Sequence, residues 1–537
     1  LLASIQENDR VRELAINPLM LTVIALIHRD RVKLPDRRAE LYQEAVDVLL
    51  GKWDEARGVQ ESLILGDRPF DVSDRRLLLQ HVALAMHERS IKEIDAEPLR
   101  QLLAEQLGDA VTDPRDLDAS VERFLGIIRE RSGLLIARAE GTYAFSHLTF
   151  QEYLAALAIA GDDDYVNLTL RHIADEWWRE VILLEAGHLS TQSKQKTTSL
   201  IRAIADANAE PEPYHNLVLA AECLRDAGAN RVEGNLEAAL RERLQRELEA
   251  PSARGLVGGL RTLLARGLSP ATAIKRRIAA ADALGKIGGS SFWTPPYGEP
   301  EWVHIPSGEF TMGETEEAYR TVRLKTSSET YILNFGNEPH RLHLPAYAIS
   351  RVPVTNAQYQ LFVQATEQKP PGYWNGQRAP RGKESHPVLE VSWHQALAYC
   401  RWLGEVTGKP IMLPSEAEWE KAARGVADIR AYPWGHTFDM ACCNVEESGF
   451  GATTPGGIFL NGASPYGCLD MVGNVWEWTR SLWGKDWKRD EFDYPYRADD
   501  PRREDLEAGD EVLRLVRGGS WRDHRDEARC AVRNRIH

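Results

Sequence analysis

Two carboxylates, Asp470 and Glu477, lie seven residues apart and bracket a Gly473-Asn474 turn within the run Gly467 to Trp478. If the carbonyls of that turn face inward, the set forms a cage for a hard cation such as Ca2+, which takes carboxylate and backbone oxygens. The same run also reads as an ordinary turn, capped by Asp470, with Trp476 and Trp478 buried on a core. Asp523, His524 and Asp526 form a second cluster of ligand-type residues, though a segment this polar is better read as a solvated charged loop. Six cysteines, at 223, 400, 442, 443, 468 and 530, include no CxxC pair and are too sparse for a disulfide scaffold. That usage suits a reducing cytosol, so a cytoplasmic location is expected. Adjacent Cys442 and Cys443 point apart and have no further ligand at metal spacing.

At 537 residues the chain exceeds what one core holds, since single cores stop growing at about 250–300 residues. Two or three domains are expected. The net charge of -15 argues against nucleic-acid binding, which needs clustered Lys and Arg. No apolar run of about 18 residues occurs, so no membrane association is expected. A chain opening on Leu1 is read as a piece of something larger.

Residues 1–160 read as helical. Asn17 to Ile27 is apolar nearly all round, with Pro18 where a first helical turn tolerates it. An amphipathic helix starts near Leu34 and continues through Val46, Leu49 and Leu50. Arg131–Ala137 and Thr142–Ser146 look like two strands around Glu140-Gly141, as in the wing of a winged helix, and a helix follows from Leu148. Residues 161–288 give helix after helix, including Trp177–Leu184 and Arg277–Gly288, as a HEAT-like repeat or a bundle. The Gly-, Ser- and Pro-rich stretch 289–300 reads as a linker.

Beyond it, in 301–537, the composition shifts. Twelve of the fifteen tryptophans lie at or after Trp293, as expected where aromatic side chains anchor long irregular loops. Three helices are predicted. One starts after Thr355, one after Ser392, and one at the capping box Ser415-Glu416-Ala417-Glu418.

The motifs Asn17-Pro18-Leu19-Met20-Leu21-Thr22, Arg38-Ala39-Glu40-Leu41-Tyr42 and Phe145-Ser146-His147-Leu148-Thr149-Phe150 resemble the part of a NACHT-type signalling NTPase that follows its nucleotide site. In that family this part relays the nucleotide state, and a histidine at the place of His147 often contacts nucleotide. A satisfied wing histidine is the other reading. No GxxxxGK[ST] loop occurs in the sequence, so ATP enters only through an upstream domain, and self-oligomerisation would run through that NTPase region.

Leu413–Glu420, Gly467–Trp478 and Arg517-Gly518-Gly519-Ser520-Trp521, together with Ile305–Gly313, resemble the formylglycine-generating enzyme (sulfatase-modifying factor) family across 301–537. The resemblance implies the following fold class: a multidomain chain, with an all-α winged-helix and helical-repeat N-terminal region followed by an α+β C-type-lectin-like domain. It implies Ca2+ held by the Asp470 and Glu477 side chains and the Gly473 and Val475 carbonyls. A second calcium site would use Asn444 and the Val445 carbonyl, but Ser448 stands where its acid belongs. Family enzymes hold Cu(I) between two cysteines. Their equivalents here are Asp523 and either Arg525 or Ala528, so copper is not expected and no catalytic residue is assigned. Cys530 matches a structural position and reads as a buried thiol. The related iron-dependent sulfoxide synthases need an HxxxH pair that this sequence lacks. The end at His537 precedes elements that usually close the fold, so the last strand is expected to be missing.

The function this implies is a ligand-recognition, or sensor, module of a bacterial NACHT-type signalling protein, with a protein or peptide ligand. In related lectin-fold proteins the segment after Gly-Gly-Ser-Trp is where retroelement-driven diversification is targeted. The recognition face is therefore assigned to Trp521, Arg522, Asp523, His524, Arg525 and Asp526, with Arg533 and Asn534 beyond. The alternatives are a formylglycine-generating or related oxidoreductase with a different site, and an assembly scaffold.

Overall fold

The computed structural model describes residues 37–52, 63–65, 68–70, 72–108, 111, 113–127, 134–139, 141–207, 215–249, 270–289, 292–315, 334–335, 339–487, 490–492 and 495–536, with isolated positions between 21 and 35. The chain forms two compact units, Leu1–Glu242 and Arg243–His537.

In the first unit, Ile24 and Ile27 are buried, while most of the expected helix Asn17–Ile27 lies outside the described residues. Helix α1 (Arg38–Asp47) buries Ala39, Leu41, Tyr42, Ala45 and Val46. That spacing puts one apolar stripe inward. Helix α2 (Val72–Glu88) packs against α5 (Leu148–Ala160). Strands β1 (Glu93–Asp95), β2 (Leu135–Ala139) and β3 (Thr142–Phe145) form an antiparallel sheet in the order β1-β3-β2, with α3 (Ala96–Leu107) and α4 (Pro114–Ile127) between β1 and β2. The β2–β3 hairpin is the wing that the sequence predicts. Its turn includes Gly141 at φ 85°, where a Cβ would be strained. His147 caps α5, its Nδ1 accepting the Thr149 N–H at 3.2 Å. Helices α6 (Arg179–Gln192), α7 (Lys194–Asp206) and α8 (His215–Ala227) continue the unit and pack on one another.

The second unit includes helix α9 (Pro270–Lys286), which the sequence groups with the preceding helices. The stretch read as a linker contains an antiparallel hairpin, Trp293–Thr294 pairing with Glu299–Pro300. Two further antiparallel pairs follow. Strand β4 (Trp302–Ile305) pairs with β8 (Tyr347–Ser350), and β5 (Gly308–Met312) with β7 (His340–Leu344). A four-stranded antiparallel sheet has the order β6-β11-β10-β9, from Asn334–Phe335, Val532–Ile536, Leu513–Arg517 and Glu477–Gly484. All five residues of β10 are buried, as befits a strand paired on both edges.

The three helices predicted in this unit are present. They are α10 (Asn356–Thr366), α11 (Trp393–Thr407) and α12 (Glu416–Arg424), and Thr355, Ser392 and Ser415 each close a full capping box. Each box satisfies two orphan N–H groups at a helix start, which is why so short a helix as α12 holds its place. All six cysteines are free and buried, Cys530 completely. No helix among the described residues is long and apolar enough to cross a membrane.

Candidate functional site

Helix α12 organises the interior of the second unit. Its first turn buries Glu416 completely, where Arg533 Nε lies 2.7 Å away, Arg503 Nη1 2.8 Å and Arg517 Nη1 4.0 Å. Burial alone would raise this carboxyl, but the three guanidinium groups of Arg533, Arg503 and Arg517 outweigh it and hold it below its ordinary range. One turn on, Glu420 accepts the Gly313 N–H at 2.8 Å and a hydrogen bond from Arg517 at 2.5 Å. Between them Trp419 is fully buried, with the Arg517 guanidinium 5.2 Å from its ring centre.

Trp419 reaches the Asp470–Glu477 run by donating from Nε1 to Glu477 Oε2 at 3.1 Å. Asp470 is 5% exposed, and its Oδ2 accepts the Gly457 N–H at 2.6 Å. Burial pushes the Asp470 carboxyl up to about 6, the Gly457 N–H opposing it. Glu477 is pushed up to about 8, first by burial and further by the Asp470 charge, with the Trp419 hydrogen bond opposing. Among the described residues neither carboxylate forms an ion pair. Two like charges in a desolvated place without a cationic side chain are the chemistry a hard cation relieves, so this donor set fits one.

The turn between them is held from three sides. Asp470, Gly473 and Asn474 all have positive φ, at 55°, 78° and 65°. A Cβ on Gly473 would lie 2.5 Å from the Asn444 carbonyl oxygen, so only glycine fits there. The Asn474 side chain accepts the Thr454 N–H at 3.0 Å and an Asn444 N–H at 3.2 Å, and donates to the Thr454 carbonyl at 3.1 Å. The Gly473 N–H donates to Gly518 at 2.8 Å, and the Asn474 carbonyl accepts the Trp521 N–H at 3.2 Å.

At the second place considered for calcium, buried Asn444 Oδ1 has no hydrogen-bond partner among the described residues. Ser448, however, is committed, donating to the Cys443 carbonyl at 2.8 Å and accepting the Val445 N–H at 3.2 Å.

The segment after Gly519 divides in two. Ser520, Trp521 and Arg522 line a cavity of about 1080 Å3 whose wall also includes Trp302, Tyr347, Met412, Trp476 and Trp478. Trp476 and Trp478 are therefore not simply core residues. Trp478 is half-buried, donating from Nε1 to the Val391 carbonyl at 2.8 Å. From Asp523 on, the polar groups turn to their own loop and to Glu447. Asp523 Oδ2 accepts the Ser520 N–H at 2.7 Å and the Ser520 hydroxyl at 2.6 Å. His524 and the Arg525 N–H both meet Glu447, at 3.1 Å from its nearer oxygen in each case, and Asp526 is buried.

Arg533 and Asn534, assigned from the sequence to the recognition face, lie on β11. Arg533 is 2% exposed and bound to Glu416 and Asp490, so it belongs to the interior ion network and not to a ligand surface. A basic residue in an alternating terminal segment reads as exposed when the strand partner that buries it is unseen. Asn534 is half-buried, its Oδ1 accepting the Arg535 N–H at 2.8 Å. Tyr347, Met412 and Trp302, which complete the cavity wall, carried no sequence signal of their own. They come from three separate segments.

The second unit is thus a domain with a buried Arg–Glu core, a braced acidic turn and a Gly-Gly-Ser-Trp segment opening onto a cavity. Comparisons with known proteins agree with this picture. The sulfatase-modifying factor enzyme 1-like domain family matches residues 294–537, and the winged helix-turn-helix domain C-terminal to NACHT matches residues 38–159. A formylglycine-generating enzyme from Thermomonospora curvata is 30% identical over 275 residues, covering 41% of this chain and 82% of that protein. The inactive C-alpha-formylglycine-generating enzyme 2 from Bos taurus is 34% identical over 167 residues, 29% of this chain and 46% of that protein. The serine/threonine-protein kinase pkn1 of Chlamydia caviae is 31% identical over 211 residues, 36% of this chain and 31% of the kinase. The chain thus spans about a third of the length of that kinase. Through its second unit the chain belongs to the formylglycine-generating enzyme (sulfatase-modifying factor) family, joined here to a NACHT-associated winged helix.

Proposed function

We propose that the second unit is the ligand-recognition module of a NACHT-type signalling protein, taking a protein or peptide segment into the cavity beside Trp521. The carrying observation is the fate of position 523. Where the resemblance places a copper-binding cysteine, Asp523 instead spends its carboxylate on the Ser520 N–H and hydroxyl, while Ser520, Trp521 and Arg522 face the cavity. A wall rich in tryptophan, with a few polar groups, is the usual lining of a recognition pocket. On this reading the domain is a C-type-lectin-like platform and Ca2+ sits between Asp470 and Glu477, bracing the turn behind the cavity. The winged-helix part, in the cytoplasm, would relay occupancy to an ATPase upstream. The residues open to diversification would then be Trp521 and Arg522.

The test is selection of displayed peptides on the whole chain, followed by affinity measurement with Trp521→Ala. Peptides that bind the wild type and lose at least about tenfold with the variant support the reading, a size ordinary for an aromatic anchor. The oxidoreductase reading predicts stoichiometric Cu(I) binding with O2 uptake on a cysteine-bearing peptide. That outcome would sink the recognition proposal.

A further inference from the structure

The charges lining the cavity are not equivalent. Arg480 is bound to Glu418 at 2.6 Å and Glu504 at 2.7 Å, and Lys409 is paired with Glu299. Glu418 is in turn spent on Arg480 and on the Ser415 N–H, and Glu477 lies inside the acidic turn. Three charged side chains on the wall remain without an ion pair among the described residues: Arg522 and Glu390, both exposed, and Glu477, which is half-buried and accepts the Trp419 indole N–H. The Arg522 guanidinium stacks 4.6 Å from the centre of the Trp521 ring. Stacking orients its N–H fork without consuming it, leaving the edge free for a planar anion.

The two exposed charges are carried by different segments of the wall. Trp521 is anchored to the Asn474 carbonyl, whereas Glu390 adjoins Val391, which is tied to Trp478. Asn474 and Trp478 are four residues apart in sequence, at most about 13 Å along the chain, with Trp476 between them. The wall thus carries one unpaired cation, Arg522, beside the aromatic side chains of Trp521, Trp476 and Trp478.

We propose that Arg522 is the anion-recognising residue of this cavity, and that its ligand is a peptide segment presenting a carboxylate beside an aromatic or aliphatic side chain. The proposal rests on the peptide-recognition reading above and adds the ligand's charge. A carboxylate meets the guanidinium through two parallel N–H···O bonds while the neighbouring apolar group lies on Trp521 and Trp476. The chain's net charge of -15 repels anions in general, so any preference for an acidic ligand must come from local geometry.

The test uses fluorescein-labelled nonapeptide pools with a central tryptophan and one flanking position fixed as Asp, Asn or Lys, titrated against the whole chain by polarisation. The expected result is binding of the Asp pool at least about tenfold tighter than the Asn pool, with that preference abolished by Arg522→Gln in a variant of unchanged circular dichroism. A Lys-pool preference that disappears with Glu390→Gln would overturn the proposal and assign recognition to the carboxylate instead. Equal binding of all three pools, weakened together by Trp521→Ala, would overturn it while leaving the cavity as a peptide site. Failure of every pool to bind would overturn both.

Discussion

The carbonyl of Asn474 accepts the N–H of Trp521 at 3.2 Å, joining the acidic turn to the segment that opens the cavity. Because the Asn474 side chain also fastens the Thr454 and Asn444 loops, one residue carries the registration of three loops. Asn474→Ala leaves the buried Thr454 N–H without its acceptor, a cost of about 1–3 kcal/mol. A lowered Tm in the second unit's transition is expected, together with faster hydrogen exchange at Trp521. An unchanged exchange rate at Trp521 would show that the turn does not hold it.

Ca2+ is expected to raise the melting temperature of the second unit, and Asp470→Ala to remove the increase. The physical reason is the repulsion between buried Asp470 and half-buried Glu477, neither of which has a cationic partner among the described residues. An unchanged melting curve on adding chelator would count against the cage.

Arg533→Ala tests whether this side chain is interior structure or ligand surface. Removing it leaves Asp490 uncompensated and takes a hydrogen-bonded cation from Glu416, so a loss of about 3–5 kcal/mol is expected in denaturant unfolding. Arg522→Ala, on the exposed rim, should change stability by no more than about 0.5 kcal/mol. Equal stabilities for the two variants would contradict the placement.

Glu185 on α6 is fully buried. One oxygen accepts the Thr169 hydroxyl at 2.7 Å and the other has no partner among the described residues. Burial pushes it up to about 8, with the Thr169 hydrogen bond opposing. The folded state therefore holds this proton more tightly than the unfolded chain does. Its contribution is most favourable below the ordinary value of 4.5 and is lost progressively as pH rises to about 8. Hydrogen exchange in α5 and α6 should accelerate across that interval in the wild type and stay flatter in Glu185→Gln. Identical pH profiles would refute the assignment.

Helix α9 is clamped to the second unit by His386, which is 2% exposed. Its Nε2 lies 3.2 Å from Asp282 and its Nδ1 2.9 Å from Thr453. Asp282→Ala should raise exchange along residues 270–286 by about tenfold while leaving α12 unaffected, since a lost bond of about 1.4 kcal/mol is one decade in opening. No local change would mean that α9 is held by its other contacts, among them the Ser385 hydroxyl donating to the Ala281 carbonyl at 3.3 Å.

Local order was legible in the sequence because it depends on near neighbours. Ser415 and Glu418 are three residues apart, so their capping box is visible in the string, as are the wing around Gly141 and the glycine that Gly473 must be. The motifs that border the cavity were legible too, in the Gly-Gly-Ser-Trp segment and the acidic run. What was not legible is which face each side chain takes. Arg533 and Arg522 are both arginines of one polar tail, yet the first pairs with Glu416, 117 residues away, while the second lies over the Trp521 ring and forms no ion pair among the described residues.

By itself, then, the sequence determined the family, the capped helices and the absence of cysteine at 523, 525 and 528. Only the tertiary structure decided which charges are neutralised inside and which have no ion pair among the described residues. Ion pairing and desolvation act between residues that the chain brings together from far apart, and no spacing in the string records them.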